Sequence, residues 1–187
     1  RSSDLDNPQI DGKNIDYITL VSSIGESSGI VSGTTQITKN PIGLKIARLT
    51  ADIIKHVPYF KNGFSFQTGA GGTSLAVSYY LKEIMAKKKI VGSFASGGIT
   101  GYIVEMLEAG LFEKLYDVQS FDLEAVRSTK DNINHHVISA SRYANINDDC
   151  IVNDLDYVIL GATEIDMDFN VNVTTTSTGE IMGGAGG

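Results

Sequence analysis

The apolar positions of this chain fall into short runs separated by glycine-rich turns, and their spacing alternates between the strand and helix periods. Tyr17-Ile18-Thr19-Leu20-Val21 is β-branched and aromatic and predicts a strand. After a Gly/Ser-rich stretch over 22–35, Pro41 opens a helical spacing with Leu44, Ile46, Ala47, Leu49, Ile53 and Ile54 on its apolar face. Phe64 to Gln67 predicts a short strand, followed by the Gly69-Ala70-Gly71-Gly72 loop. Thr73 or Ser74 can cap the next helix, which runs to about Lys88 with Leu75, Val77, Tyr80, Leu81 and Ile84 on one side. Ile90 to Ala95 is the next strand and Ser96 to Gly101 the next turn. A helix bearing Ile103, Met106 and Leu107 then ends at Gly110, a good residue just past a helix C-terminus. Tyr116 to Ser120 reads as a strand and Leu123 to Val126 as a short helix. Tyr157-Val158-Ile159-Leu160, four apolar residues between Asp156 and Gly161, reads as a buried strand.

Strand, glycine turn, helix and strand again is the pattern of βαβ units. It predicts an α/β fold with a mostly parallel sheet and helices on both faces. In such sheets ligands bind at the carboxyl ends of the strands, where these loops lie. There is no internal repeat and no second composition regime. Residues 1–16 read as a linker or poorly ordered lead-in, and residues 17–187 as a single α/β domain truncated at its C-terminus. Arg1 at one end and the glycine cluster at the other read as cut ends of a longer polypeptide.

Composition narrows the function classes. Of 187 residues, 20 are glycine and only 3 proline, which suits many tight turns inside a regular fold rather than a low-complexity linker. The net charge of -7 argues against nucleic acid or another polyanion as the main partner, since neutralising phosphates needs clustered Lys and Arg. Lys87-Lys88-Lys89, the only dense basic run, reads as the solvated C-terminal end of a helix, with binding of a phosphate-bearing ligand as the alternative. A single cysteine, Cys150, forms no internal disulfide framework and fits a reducing, cytoplasmic compartment. No apolar run reaches the roughly 20 residues of a membrane helix, and no signal peptide is visible.

Gln67-Thr68-Gly69-Ala70-Gly71-Gly72-Thr73-Ser74 is the sharpest local feature. Glycines admit a ligand close to the backbone, and the following helix offers unpaired N–H groups and a positive dipole end. The alternative is a tight strand-to-helix turn with no ligand. It is neither a P-loop nor Gly-x-Gly-x-x-Gly. A second turn of this kind, Ser96-Gly97-Gly98-Ile99-Thr100-Gly101, follows the next strand and would face the same sheet edge. A third cluster, Ser28 to Thr35, is either a clamp for an extended ligand or a plain loop. Glu164 lies four residues after the apolar strand, where a carboxylate can act as nucleophile or general base; a surface acid is the alternative. Asp166 and Asp168 have no nearby histidine, so no metal site is assigned. His56, His135 and His136 flank no glycine-framed serine, and His135-His136 reads as a surface pair. Cys150 beside two aspartates is a poor thiolate.

Taken together, Gly25 to Thr35, Phe64 to Leu75, Gly92 to Glu105, Phe121 to Ser128 and Glu164 to Val173 resemble the citrate lyase alpha subunit family, over about Tyr17 to Gly187 and in the right order. The resemblance matches roughly the second half of that family's chain. It implies the CoA-transferase fold, two related α/β domains with the site between them, of which this chain is mainly the second. It implies an acyl-thioester transferase that exchanges acetyl for citrate on the acyl carrier protein, or on CoA, giving the citryl thioester and acetate. No cofactor is expected on this chain itself; acyl-CoA, or the phosphopantetheine-type arm of the carrier, is substrate. The implied partners are the acyl carrier protein (gamma) and lyase (beta) subunits, within a homo-oligomeric assembly. Glu164 falls where many CoA transferases carry a glutamate that forms an acyl-glutamyl intermediate, although citrate lyase-type transferases are thought to work in a ternary complex. Gly183, Gly184, Gly186 and Gly187 match the family's glycine loop near the acyl group. Gly69, Ala70, Gly71 and Gly72 with Ser96, Gly97 and Gly98 would frame the pantetheine arm. Arg127 and Arg142 are candidates for reading citrate carboxylates, with surface ion pairs as the alternative. A reading from another class remains: a carrier-binding and assembly module without turnover of its own. A nucleotide-binding α/β protein is a third, weakened by the missing phosphate motif.

Overall fold

The computed structural model describes residues 11–25, 35–146 and 149–181. Most of the Ser28 to Thr35 cluster, and Gly183, Gly184, Gly186 and Gly187, lie outside the described residues. Helix α1 spans Pro41–Ile54, with Pro at its first position and the Asn40 side chain accepting from the Ile42 N–H. It buries Gly43, Ala47, Ala51 and Ile54. The apolar face read from the sequence is therefore split. Small residues face inward, where α1 packs on α2, while Ile46, Leu49 and Ile53 are 46–66% exposed.

From there the chain alternates as expected: β1 Ser65–Thr68, α2 Gly72–Lys88, β2 Gly92–Ile99, α3 Gly101–Glu108, β3 Phe112–Ser120, α4 Leu123–Asp131 and β4 His135–Val137. A one-turn helix, α5 Ala140–Tyr143, precedes β5 Tyr157–Ile159, and a two-stranded antiparallel hairpin, β6 Glu164–Ile165 with β7 Val171–Asn172, follows it. The five strands β1 to β5 form one parallel sheet in the order β4-β3-β2-β1-β5. The chain lays down β1 to β4 in one direction and then returns to place β5 on the other side of β1. The strand order thus reverses at β1, and the crevice between the carboxyl ends of β1 and β5 is where such sheets bind ligands.

Four readings of the sequence are corrected here. Tyr17 to Val21 is not a strand: no described strand pairs with it, and Tyr17, Ile18 and Leu20 are 82–97% exposed. A strand propensity without a neighbour has no backbone partners to realise it. Tyr157 to Leu160 is the edge of the sheet rather than a buried strand, with Val158 46% exposed. Ser96, Gly97 and Gly98 do not form a turn. They continue β2, whose register against β3 shifts between Gly97 and Gly98, a bulge in which Val118 of β3 is the extra residue. Neither Thr73 nor Ser74 caps α2: the N-cap is Gly71, without a side-chain bond. The lysines do stand where expected, with Lys87 and Lys88 in the last turn of α2 and Lys89 in the left-handed conformation beyond it.

The core is built on Phe64 and Phe66 of β1's approach and body, Phe112 of β3, and Leu75, Leu81, Met85, Ile99, Ile103, Met106 and Leu115, all essentially inaccessible. At the sheet's edge Asp122 ties three segments together. Its Oδ1 accepts from the Ala125 N–H at 2.9 Å, capping α4, and its Oδ2 accepts from the Gly101 N–H at 2.8 Å and the Thr35 hydroxyl at 3.1 Å. Replacing Asp122 by Ala removes a cap and leaves a backbone donor unpaired. We expect a loss of about 2–3 kcal/mol, read as a lowered urea midpoint at unchanged slope.

Candidate active site

At the carboxyl edge, β1 ends in Gln67 and Thr68 and passes into Gly69 and Ala70, β2 carries Gly97 and Gly98 just before its last residue Ile99, and β5 gives way to Leu160. Together with Val118, Gln119, Phe121 and Tyr143 these residues line a cavity of about 280 Å3. The two glycine segments singled out in the sequence, 69–70 and 97–98, thus share one pocket at the reversal of strand order. The turn after β1 is pinned by the Gly69 N–H, which donates to Ile159 C=O at 2.9 Å, and by Thr68, whose hydroxyl donates to Ser74 C=O at 3.1 Å.

The sequence grouped more residues here than the structure brings together. Gly72 faces away: a Cβ there would lie 2.9 Å from Thr38 N and 3.0 Å from Gln36 C=O, so its role is to let that segment cross the start of α2. Gly71, the N-cap, does not line the cavity. Ser96 is buried and its hydroxyl donates to Tyr116 C=O at 2.9 Å, inside the sheet. Arg127 is occupied on the outside of α4 by Glu108 at 2.8 Å and Glu124 at 2.9 Å, with Asp131 at 3.9 Å. Glu108 first, and then Glu124, raise its pKa above the ordinary arginine value, so the guanidinium is committed to pairs on the chain's own surface. Arg142 lies on α5 and donates to Asp149 C=O at 2.9 Å.

Glu164 is not among the residues lining this cavity either. It opens the β6–β7 hairpin, four residues beyond Leu160, with Oε1 accepting from the Ser177 N–H and hydroxyl at 3.0 Å each and Oε2 from the same N–H at 2.8 Å. The backbone bond from Ser177 first, then its hydroxyl, hold the Glu164 pKa below its ordinary 4.5, so the carboxylate is ionised at neutral pH. The ionised form is the one Ser177 stabilises, so this contribution is complete above 4.5 and is lost as pH falls through the lowered folded value. The Ser177 amide proton should therefore titrate by NMR with a midpoint below 4.5, and Ser177→Ala should move the Glu164 midpoint upward. Asp166 organises the same hairpin, accepting from the N–H groups of Asp168 and Asn170 at 2.9 Å each. Among the described residues no cluster of three or more His, Cys, Asp or Glu could hold a metal ion.

Two features escaped the sequence. His135 is not on the surface. Its Nδ1 lies 2.8 Å from the Ser128 hydroxyl and its Nε2 3.1 Å from Asp117, with side chains of His135 and Asp117 at most 1% exposed. The residue types are those of a hydrolytic triad, but no substrate reaches them, and the group fastens α4 and β4 to β3. The second is Tyr143, whose hydroxyl donates to Gln67 Oε1 at 2.5 Å within the cavity wall. Neither pairing has a local signal, since the partners lie 18 and 76 residues apart.

A parallel sheet whose strand order reverses at β1, with a glycine-walled cavity at its carboxyl edge and an ionised glutamate just beyond, defines an α/β protein with its candidate site at the switch point, where such sheets bind ligands. The family model described as "Citrate lyase, alpha subunit (CitF)" matches residues 6–187, and the chain belongs to that family. It is 48% identical over 179 residues to the citrate lyase alpha chain of Escherichia coli strain K12, covering 95% of this chain and 35% of that one. It is 49% identical over 174 residues to the same chain of Haemophilus influenzae, covering 92% and 35%. A solved structure from Streptococcus mutans, described as an alpha subunit of citrate lyase in complex with citrate, superposes with a TM-score of 0.84 at 47% identity, covering 89% of this chain and 33% of that one. The chain thus spans about a third of the length of the curated relatives it matches. Among the described residues no helix is long and apolar enough to cross a membrane.

Proposed function

We infer that the cavity takes the acyl end of a thioester, and that the polypeptide carrying this chain exchanges acetyl for citrate on the phosphopantetheine-type arm of an acyl carrier protein, or on CoA. The observation that carries this reading is the meeting of Gly69, Ala70, Gly97 and Gly98 in one pocket where the strand order reverses, in a member of this family. A thioester arm is long, thin and weakly polar, and suits a cavity walled by glycine backbone and uncharged side chains rather than by clustered cations.

The exchange balances as acetyl thioester plus citrate giving citryl thioester plus acetate. The acetyl C–S bond breaks and a citryl C–S bond forms, and one carboxylate oxygen of citrate leaves on the acetyl carbon as acetate. Glu164 serves this as an ionised carboxylate at the reacting acyl group. It does so either by attacking the thioester carbonyl or by steadying charge in a ternary complex. The rest of the site, including the Gly183 to Gly187 loop, is contributed by chain outside the described residues, with this region acting as the second of two related α/β domains. The acyl carrier protein and the lyase subunit are its partners in the cytoplasm.

A second reading, docking of the carrier without turnover, is favoured by one observation: Glu164 is not in the cavity wall of this chain. The test uses a polypeptide of the relatives' full length that carries this sequence. Incubated with citrate and acetyl-CoA it should release acetate and form citryl-CoA. Calorimetric binding of acetyl-CoA without citryl-CoA formation would select the docking module instead.

A further inference from the structure

We propose that Tyr143 is a positioning residue: its hydroxyl holds the Gln67 carboxamide oxygen and thereby turns the Gln67 amide N–H2 toward an acyl oxygen of the bound ligand. The inference rests on the reading of the cavity as an acyl-thioester site and deepens it by naming a donor and the residue that aims it.

Gln67 is 5% exposed, yet it lines the cavity and stands one residue before the end of β1. A buried carboxamide has one acceptor oxygen and two N–H donors, and it can rotate to exchange their positions. Its orientation is therefore undetermined unless a neighbour distinguishes the two ends. Tyr143 does so. Burial, opposed by the bond to Gln67, pushes the Tyr143 pKa above its ordinary 10.0, so the phenol keeps its proton and can donate it to Oε1. With the oxygen committed to Tyr143, the nitrogen is the end left to meet a ligand oxygen.

The backbone beneath the carboxamide is shaped for this placement. Gly97 has φ +100°, which L side chains rarely adopt, and a Cβ there would lie 3.0 Å from Gln67 Cγ, 3.3 Å from Cδ and 3.4 Å from Nε2. The missing Cβ of Gly97 thus gives the carboxamide the surface it lies against, while Ser96 pairs with Gln67 across the β1–β2 ladder. Tyr143 itself sits at the end of α5, whose first turn is fixed by the Ser139 hydroxyl accepting from the Arg142 N–H at 3.1 Å. The chemical class recognised is a carbonyl or carboxylate oxygen on an otherwise weakly polar group.

The test measures affinity in the full-length polypeptide for two probes that differ only in the acetyl group on sulfur: acetyl-CoA, which carries the acyl carbonyl, and CoA, which has none. Tyr143→Phe should weaken acetyl-CoA binding roughly 3- to 10-fold and leave CoA binding unchanged, the size of one aimed hydrogen bond. Gln67→Met, close to the same volume but without the donor, should weaken acetyl-CoA to a similar degree or more. The double variant should be no weaker than Gln67→Met alone, because Tyr143 acts only through Gln67. Additive losses, an equal loss for both probes, or unchanged acetyl-CoA affinity in Tyr143→Phe each overturn the proposal while leaving the acyl-thioester site standing. Wild-type polypeptide that binds neither probe removes the site and the proposal together. The two single variants are independent routes, so a folding defect in one, seen as a lowered melting temperature, leaves the other to decide.

Discussion

Glu164→Gln in the full-length polypeptide should lower turnover of citrate and acetyl-CoA by roughly 100- to 1,000-fold, the range that losing one aimed electrostatic partner costs at an acyl-transfer centre. Glutamine keeps the volume and one carbonyl oxygen, which can still accept from Ser177, so the β6–β7 hairpin should persist. What disappears is the negative charge that Ser177 holds in its ionised form. A carboxylate kept below its ordinary pKa is a weaker base but is present in full at neutral pH, which suits an acyl acceptor or a charge partner better than a proton acceptor. Activity near the wild-type rate in a folded Glu164→Gln polypeptide would remove Glu164 from the chemistry and leave the glycine-walled cavity as a binding site alone.

The position of Glu164 shows what a sequence conveys and where it stops. The apolar run Tyr157 to Leu160 and the turn after it mark the end of a strand at the sheet's carboxyl edge, and β5 lies there. Whether that strand is central or at the margin depends on how β5 inserts beside β1, a tertiary fact with no signature in four apolar residues. The glycine segments were legible for a similar reason. Backbone that must approach a ligand or a neighbour needs residues without Cβ, and Gly69 does meet Gly97 and Gly98 in one cavity. Glycine by itself does not say what approaches, however. At Gly72 the neighbour is the Gln36 to Thr38 backbone, and at Gly98 it is the Phe121 ring. The arginines illustrate the opposite failure. Arg127 has carboxylates at i−3 and i+4 on its own helix and a third from α3, and helix geometry alone favours that local pairing over a ligand. Long-range side-chain pairs such as Tyr143 with Gln67, or His135 with Asp117, are set by packing and stay invisible until the strands are ordered.

Phe66→Ala should be the most destabilising single truncation near the site, at about 3–5 kcal/mol. Phe66 is wholly buried in β1, the strand flanked by both β2 and β5, and its ring stacks on Phe112 at 6.3 Å with an interplanar angle of 18°. Its cavity could not easily collapse, because β1 is held on both edges by ladder hydrogen bonds and at its start by Asp156, whose Oδ2 accepts from the Ser65 N–H at 2.9 Å. The loss is therefore expected in full, as a lowered urea midpoint, and it is a large share of the 5–15 kcal/mol that holds an ordinary domain together. Phe66→Leu, which keeps most of the volume, should cost under about 1.5 kcal/mol. The pair of variants also separates stability from site geometry. Phe66 and Gln67 point to opposite faces of one strand. A folded Phe66→Leu chain should thus keep the Gln67 carboxamide in place and bind acetyl-CoA normally in its full-length context. Weaker acetyl-CoA binding by that variant at an unchanged melting temperature would show that the cavity depends on the packing behind β1 as well as on the residues that line it.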